Sequence, residues 1–176
     1  MRRAVGVDPS DIRVLVLAWV LRASQMGYFS RDEWNSGASL LSVATSPETL
    51  LERLEQIHVA ARKTYEKLRD LHNFTHLFCR TEGRKKVIAH ESAIHMLKLL
   101  HADAFPEHIP VICEFLAQHE TSTKRGVSAD EWTMILQFCH EIEPDCSNYQ
   151  DDGAWPLLLD DYVEWRGSRA DNKSAE

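Results

Sequence analysis

Nine histidines, four cysteines and a carboxylate-rich final third are the side chains of this 176-residue chain that could do chemistry. His90-Glu-Ser-Ala-Ile-His95 comes near the zinc-protease spacing, but its two histidines are five residues apart. That motif needs its two histidines four apart, so that both imidazoles face one way on a helix. His72 and His76 do have that spacing, yet no third ligand stands near them in sequence. All four are expected to be ordinary helix-surface histidines, not a metal site. A calcium loop needs oxygen ligands at positions one, three and five, glycine at six and a bidentate Glu at twelve. With Gly153 at six, Asn148, Gln150 and Asp152 fill the first three ligand positions, but Leu159 falls at twelve. The closing ligand is absent. Cys79, Cys113, Cys139 and Cys146 have no paired short spacing and are expected to be reduced and mostly buried. Cys139 keeps apolar company, and the acidic neighbours of Cys146 oppose a thiolate. The chain has no glycine-rich phosphate loop and no Gly-x-Ser-x-Gly elbow. The expectation is a non-catalytic protein: no catalytic residue, no cofactor, no metal.

The carboxylates are a different matter. Residues 126–165 hold ten Asp or Glu and no Lys or Arg, in a chain whose formal net charge is -7. A neutral-to-basic body with one acidic end reads as a docking surface for a basic partner, with a solvated acidic face as the alternative. Aromatics and a proline inside the stretch favour docking. Pro156 suits the first turn of a helix, where its missing N–H is not needed. From there Trp155, Leu158, Tyr162 and Trp165 fall on one helical stripe, and Leu157, Asp160, Asp161 and Glu164 on another. One stripe can anchor in a core while the other holds carboxylates out on a rigid support.

The elements that must position these groups read as helices throughout, with no convincing run at period two, so the chain is expected to be all-α. Asp8-Pro9 opens the first helix, to about Ser24. Ser30-Arg-Asp-Glu33 is a capping box for the second, and Ser46-Pro47 starts the third. Further periodic segments cover about 62–80, 89–102 and 107–120. Ser128-Ala-Asp-Glu131 boxes a helix through Glu141, and the eighth begins near Trp155. Between Ile12 and Ala23 only Arg13 and Arg22 are charged, so the first helix is apolar nearly all round. Such a helix reads as a central core helix. With 44% apolar and 27% charged residues this is one globular domain with its own core, over 1–166, followed by a disordered tail at 167–176. The longest apolar run, Val14 to Leu21, is too short to span a bilayer. A soluble, intracellular protein is expected, with no membrane and no nucleic-acid partner.

Ser147-Asn-Tyr-Gln-Asp-Asp-Gly-Ala-Trp-Pro-Leu-Leu-Leu-Asp-Asp-Tyr-Val-Glu-Trp165 resembles the C-terminal signature of the defective-in-cullin-neddylation (DCN1-like) family, whose domain is called PONY or DCUN1. The preceding Ser128 to Phe138 looks like that family's preceding helix. A weaker match lies in Asp8-Pro9, Val14-Leu-Val-Leu-Ala-Trp19, Arg22-Ala23 and Phe29-Ser30, so the resemblance extends over almost the whole chain. Met26 and Gly27 stand where animal members usually have glutamine and cysteine. Members usually carry further helical segments, and many a ubiquitin-associated domain, before the position of Asp8.

The resemblance implies an all-α single domain with two EF-hand-like helix pairs. It also implies a scaffold-type E3 co-ligase for cullin neddylation, a monomer of nucleus and cytoplasm working within the cullin–RING ligase assembly. A cullin C-terminal winged-helix domain would dock on Asp130, Ala154 and Asp160, with Asp161 and Glu164 beside them. The acetylated N-terminal methionine of the neddylation conjugating enzyme would enter a pocket of Val14, Leu15, Leu17, Ala18, Met26, Phe29, Phe78, Met96 and Leu99. Such a pocket works by burying apolar surface, and a free amine would have to enter it charged and unpaired. Catalysis would then come from proximity. The alternative is a non-catalytic EF-hand-like adaptor that recruits another basic partner.

Overall fold

Asp11, rather than Asp8, caps the first helix: its carboxylate accepts from the Arg13 amide at 2.9 Å and from Arg13 Nε at 2.9 Å. The structure, a computed structural model, describes residue 8 and residues 10–41, 46–80, 86–123 and 126–173. Pro9 lies outside them; α1 runs Ile12–Val20, shorter at both ends than the span from Asp8-Pro9 to about Ser24 expected for it. It stops where Arg22 takes a left-handed φ of 52°. The helices gather into two compact units, Met1–Glu82 and Gly83–Glu176.

The first unit holds α1, α2 (Arg31–Leu41), α3 (Pro47–Arg62) and α4 (Tyr65–Cys79). The Ser30 box forms as expected: the Ser30 amide donates to Glu33 at 2.7 Å, and the Glu33 amide donates back to Ser30 Oγ at 3.2 Å. Glu33 also accepts from Ser24, and these donors hold its carboxyl down at about 2. In α3, Thr49 takes the place that Glu usually fills in such a box. The segment expected over 62–80 breaks at Lys63 and Thr64, so α4 begins only at Tyr65. α1 packs against α3 and α4, burying Leu15, Val16, Leu17 and Ala18 in sequence, as a helix apolar on all sides must. Asp70 ties α1 to α4 by accepting from Trp19 Nε1 at 2.9 Å and from Arg22 at 2.6 Å.

The second unit holds β1 (Val87–Ile88), α5 (His90–His101), α6 (Ile109–Thr123), β2 (Val127–Ser128), α7 (Ala129–Glu141) and α8 (Leu157–Lys173). β1 and β2 pair antiparallel, with Val87 opposite Ser128 and Ile88 opposite Val127. Two residues per strand are too few to leave an alternating signature in the sequence. With eight helices among the described residues, the fold is all-α.

α8 runs on to Lys173, and residues 174–176 lie outside the described residues. Along it Arg169 pairs with Glu114 of α6 at 2.6 Å and lies over the Trp165 ring, whose Nε1 donates to Gln118 at 2.9 Å. One expectation needs correction here. The histidines expected on helix surfaces are mostly inside: His72, His76 and His90 are buried and only His95 is exposed. Among the described residues, no helix is long and apolar enough to cross a membrane.

Candidate acidic docking site

α7 and α8 pack against each other and carry the carboxylates singled out from the sequence. At the start of α7 two adjacent acids do opposite jobs. Glu131 is buried and closes the Ser128 box, accepting from the Ser128 amide at 2.8 Å. Asp130, one residue earlier, is exposed. On α8 the expected stripes hold. Leu158 and Tyr162 are buried with Leu159, Trp155 and Trp165 are half-buried, Leu157 and Glu164 are exposed, and Asp160 and Asp161 are half-buried. Pro156 sits just before the helix, its carbonyl accepting from the Leu159 amide at 2.8 Å.

Residues 142–156, between the two helices, are built from consecutive turns. The Cys146 amide donates to Glu143 at 2.8 Å and the Tyr149 amide to Cys146 at 3.1 Å, with Cys146 itself at a left-handed φ of 62°. Asn148, the first ligand position of the rejected calcium template, does structural work. Its Nδ2 donates to the Glu141 carbonyl at 2.9 Å and its Oδ1 accepts from the Glu143 amide at 2.7 Å, which closes the end of α7. Asp152 accepts from the Ala154 amide at 3.0 Å, and Gly153 between them takes a φ of 77°, a region where a side chain is strained. That turn presents Ala154 exposed.

An aromatic cluster fixes this surface from beneath. Phe138, fully buried, has Trp155 at 5.4 Å, Tyr162 at 5.6 Å and Tyr149 at 6.1 Å between ring centroids. Edge-to-face contacts of this kind add directional stiffness to apolar burial. The Tyr149 hydroxyl donates to Asp160 Oδ1. Burial, followed by the Asp160 carboxylate, holds the Tyr149 phenol well above its usual range, so it stays protonated and able to donate. The sequence reading missed Tyr149 and Asn148 as parts of the site. Their only signal was that they lie inside the run from Ser147 to Trp165.

The other expected group is divided between the units. Leu15, Leu17 and Ala18 are buried, Val14, Phe29 and Phe78 half-buried and Met26 exposed, all in the first unit. Met96 and Leu99 lie half-buried on α5 of the second. Met26 and Gly27 occupy a tight turn closed by the Tyr28 amide on the Gln25 carbonyl at 3.3 Å, and Gly27 supplies its φ of 77°. A cleft of about 450 Å³ in the first unit opens instead beside Trp19, Val20, Leu40, Ile57 and Ala60.

Burial pushes the thiols of Cys79 and Cys113 up to about 11 and that of Cys139 to about 12. Cys146 is raised too. Burial is the main cause there; Asp145 adds to it and Arg166 opposes it. All four are free thiols, three buried and Cys146 half-buried.

Comparison with known proteins places the site in context. A family model described as cullin binding matches residues 49–165, which include Asp130, Ala154, Asp160, Asp161 and Glu164. The chain is 35% identical over 161 residues to DCN1-like protein 2 of Dictyostelium discoideum, covering 92% of this chain and 58% of that protein. It is 36% identical over 164 residues to DCN1-like protein 3 of Homo sapiens, covering 93% of this chain and 53% of that protein. The chain thus spans little more than half the length of the curated relatives it matches.

Proposed function

The chain belongs to the cullin-binding, DCN1-like family, and from that membership we propose that it is a scaffold-type co-ligase for cullin neddylation. In this reading it brings a cullin and the conjugating enzyme of the ubiquitin-like modifier together. The modifier then passes between them in a nearly intramolecular step, the whole rate gain coming from proximity and orientation. The observation that carries the reading is the acidic face of α7 and α8. Exposed Asp130 stands on α7, exposed Ala154 in the turn before α8, and half-buried Asp160 and Asp161 on α8, with the Phe138 ring cluster packed between the two helices and that turn. A rigid carboxylate face suits a basic winged-helix domain, because the charges are already in place and little side-chain entropy is lost on docking. Ala154 leaves room for a partner's backbone to approach. On the conjugating-enzyme side, Val14, Met26, Phe29 and Phe78, the expected pocket residues of the first unit that keep exposed surface, would receive the acetylated methionine.

The thiol chemistry supports a scaffold over a covalent carrier. A thiol held at about 11 is a thiolate about once in ten thousand molecules at neutral pH, too rarely to serve as an acceptor without activation. The deciding experiment is single-turnover transfer of the modifier from the charged conjugating enzyme to a cullin, with and without this protein. Acceleration that survives with no thioester forming on this protein is the expected result. No acceleration, or a trapped thioester on one of the four cysteines, would refute it.

A further inference from the structure

We propose that Tyr149 is the positioning residue of the docking site: its hydroxyl, donated to Asp160 Oδ1, aims that carboxylate and leaves the second oxygen free for a partner's cation. The inference rests on the reading of Asp160 as a docking residue and adds the group that sets its geometry. Asp160 is half-buried, at the start of α8. Among the described residues the Tyr149 hydroxyl is the hydrogen-bond partner of the Asp160 side chain, and it holds one of the two carboxylate oxygens. The donor, by contrast, is fixed several times over. The Tyr149 ring lies 6.1 Å from Phe138 and 6.4 Å from Trp155, its amide is tied to the Cys146 carbonyl at 3.1 Å, and its neighbour Asn148 is bonded to both Glu141 and Glu143.

A docking carboxylate with both oxygens free could turn about its last bond and would lose that freedom on binding. One oxygen held in advance removes that loss, which is how preorganisation gains affinity. The phenol also satisfies a half-buried lone pair that would otherwise stay unpaired at the interface. Its elevated proton affinity keeps it a donor throughout the neutral range. Because the hydroxyl carries no charge, its removal should leave long-range steering, and so the association rate, unchanged. The effect belongs in dissociation.

The test is a double-mutant cycle on binding of a cullin C-terminal winged-helix domain, read by association and dissociation rates. Tyr149→Phe keeps the ring and its packing, so the variant should show unchanged circular dichroism and lose no more of its unfolding midpoint than one hydrogen bond is worth. We expect it to dissociate about five- to tenfold faster with the association rate unaltered. In the Asp160→Asn background the same change should shift affinity less than about twofold, because the group it acts through has already been neutralised. Two results overturn the proposal: undiminished affinity for Tyr149→Phe, or the full loss reproduced in the Asp160→Asn background, which would give the tyrosine a role of its own. If Asp160→Asn alone leaves binding untouched, the reading of the docking site fails first and takes this one with it.

Discussion

Asp130 and Glu131 offer a sharp separation of folding from docking, because they are adjacent, carry equal charge and differ in burial. Glu131→Ala removes the bond to the half-buried Ser128 amide at 2.8 Å, while Ser128 Oγ keeps its bond to the amide of residue 131. Only the reciprocal half of the box is lost, at a cost of about 1 kcal/mol. That loss, at a urea slope of about 2 kcal/mol per M, lowers the midpoint by about 0.5 M. Asp130→Asn touches no such bond. As an exposed group in the first turn of α7 it gives up a few tenths of a kcal/mol of helix-dipole energy, so its midpoint should hardly move. Its effect should appear in cullin binding, where truncating one side of a pair that becomes buried costs about 2 kcal/mol, roughly thirtyfold in affinity. Both variants remove one negative charge and therefore weaken long-range attraction equally. Calorimetric titration of a cullin winged-helix domain against each folded variant, paired with urea denaturation, gives both readouts. Equal losses of affinity would refute the reasoning, since they would make the site a diffuse acidic field. An unmoved midpoint for Glu131→Ala would refute the capping assignment.

A peptide matching the conjugating enzyme's N-terminus should bind at least about tenfold more tightly when acetylated, because acetylation removes a charge that α1 has no carboxylate to meet. Equal titrations for the two forms would leave α1 a core helix only. Ala18 is a poor place to block such a pocket. At 1% exposure it is core, and Ala18→Trp should destabilise the first unit by about 1–3 kcal/mol through overpacking. In native protein at pH 8, iodoacetamide should label half-buried Cys146 first and reach Cys79, Cys113 and Cys139 only in denaturant. Equal native labelling rates by peptide mass spectrometry would contradict the burial assigned to those three.

Helix starts were legible wherever the determinant is local. Ser30, Ser46 and Ser128 each bond a residue three positions on, so four consecutive residue types contain the whole interaction, and α2, α3 and α7 begin where the Ser30 and Ser128 boxes and Ser46-Pro47 say. α1 was misplaced because two acids compete for its cap, and the choice goes to Asp11, which Arg13 also grips. The break before Tyr65 carries no Pro or Gly, and Thr64 makes no side-chain cap bond, so nothing local marks it. The histidines failed because their environment is tertiary. His72 and His76 lie on the buried face of α4, and Arg169 pairs with Glu114 fifty-five residues away. Composition within a short window contains neither fact.

The site divides along the same line. Its charges could be read directly, since the run without Lys or Arg and the stripe from Leu157 to Glu164 are properties of adjacent residues. The groups that hold those charges could not. Tyr149 meets Asp160 only because Cys146 adopts a left-handed φ of 62° and Asn148 folds the chain back onto the end of α7. Left-handed backbone at a cysteine is not what its residue type favours, so no propensity points to it. Asn148 shows how easily the two levels are confused. Counted as an oxygen at the right spacing it looked like the first ligand of a cation loop, yet both of its polar atoms are spent on the backbone of residues 141 and 143. A polar residue beside a binding surface is therefore as readily part of its frame as of its contact. Here the frame matters for docking, because a carboxylate contributes affinity in proportion to how little it must reorganise when its partner arrives.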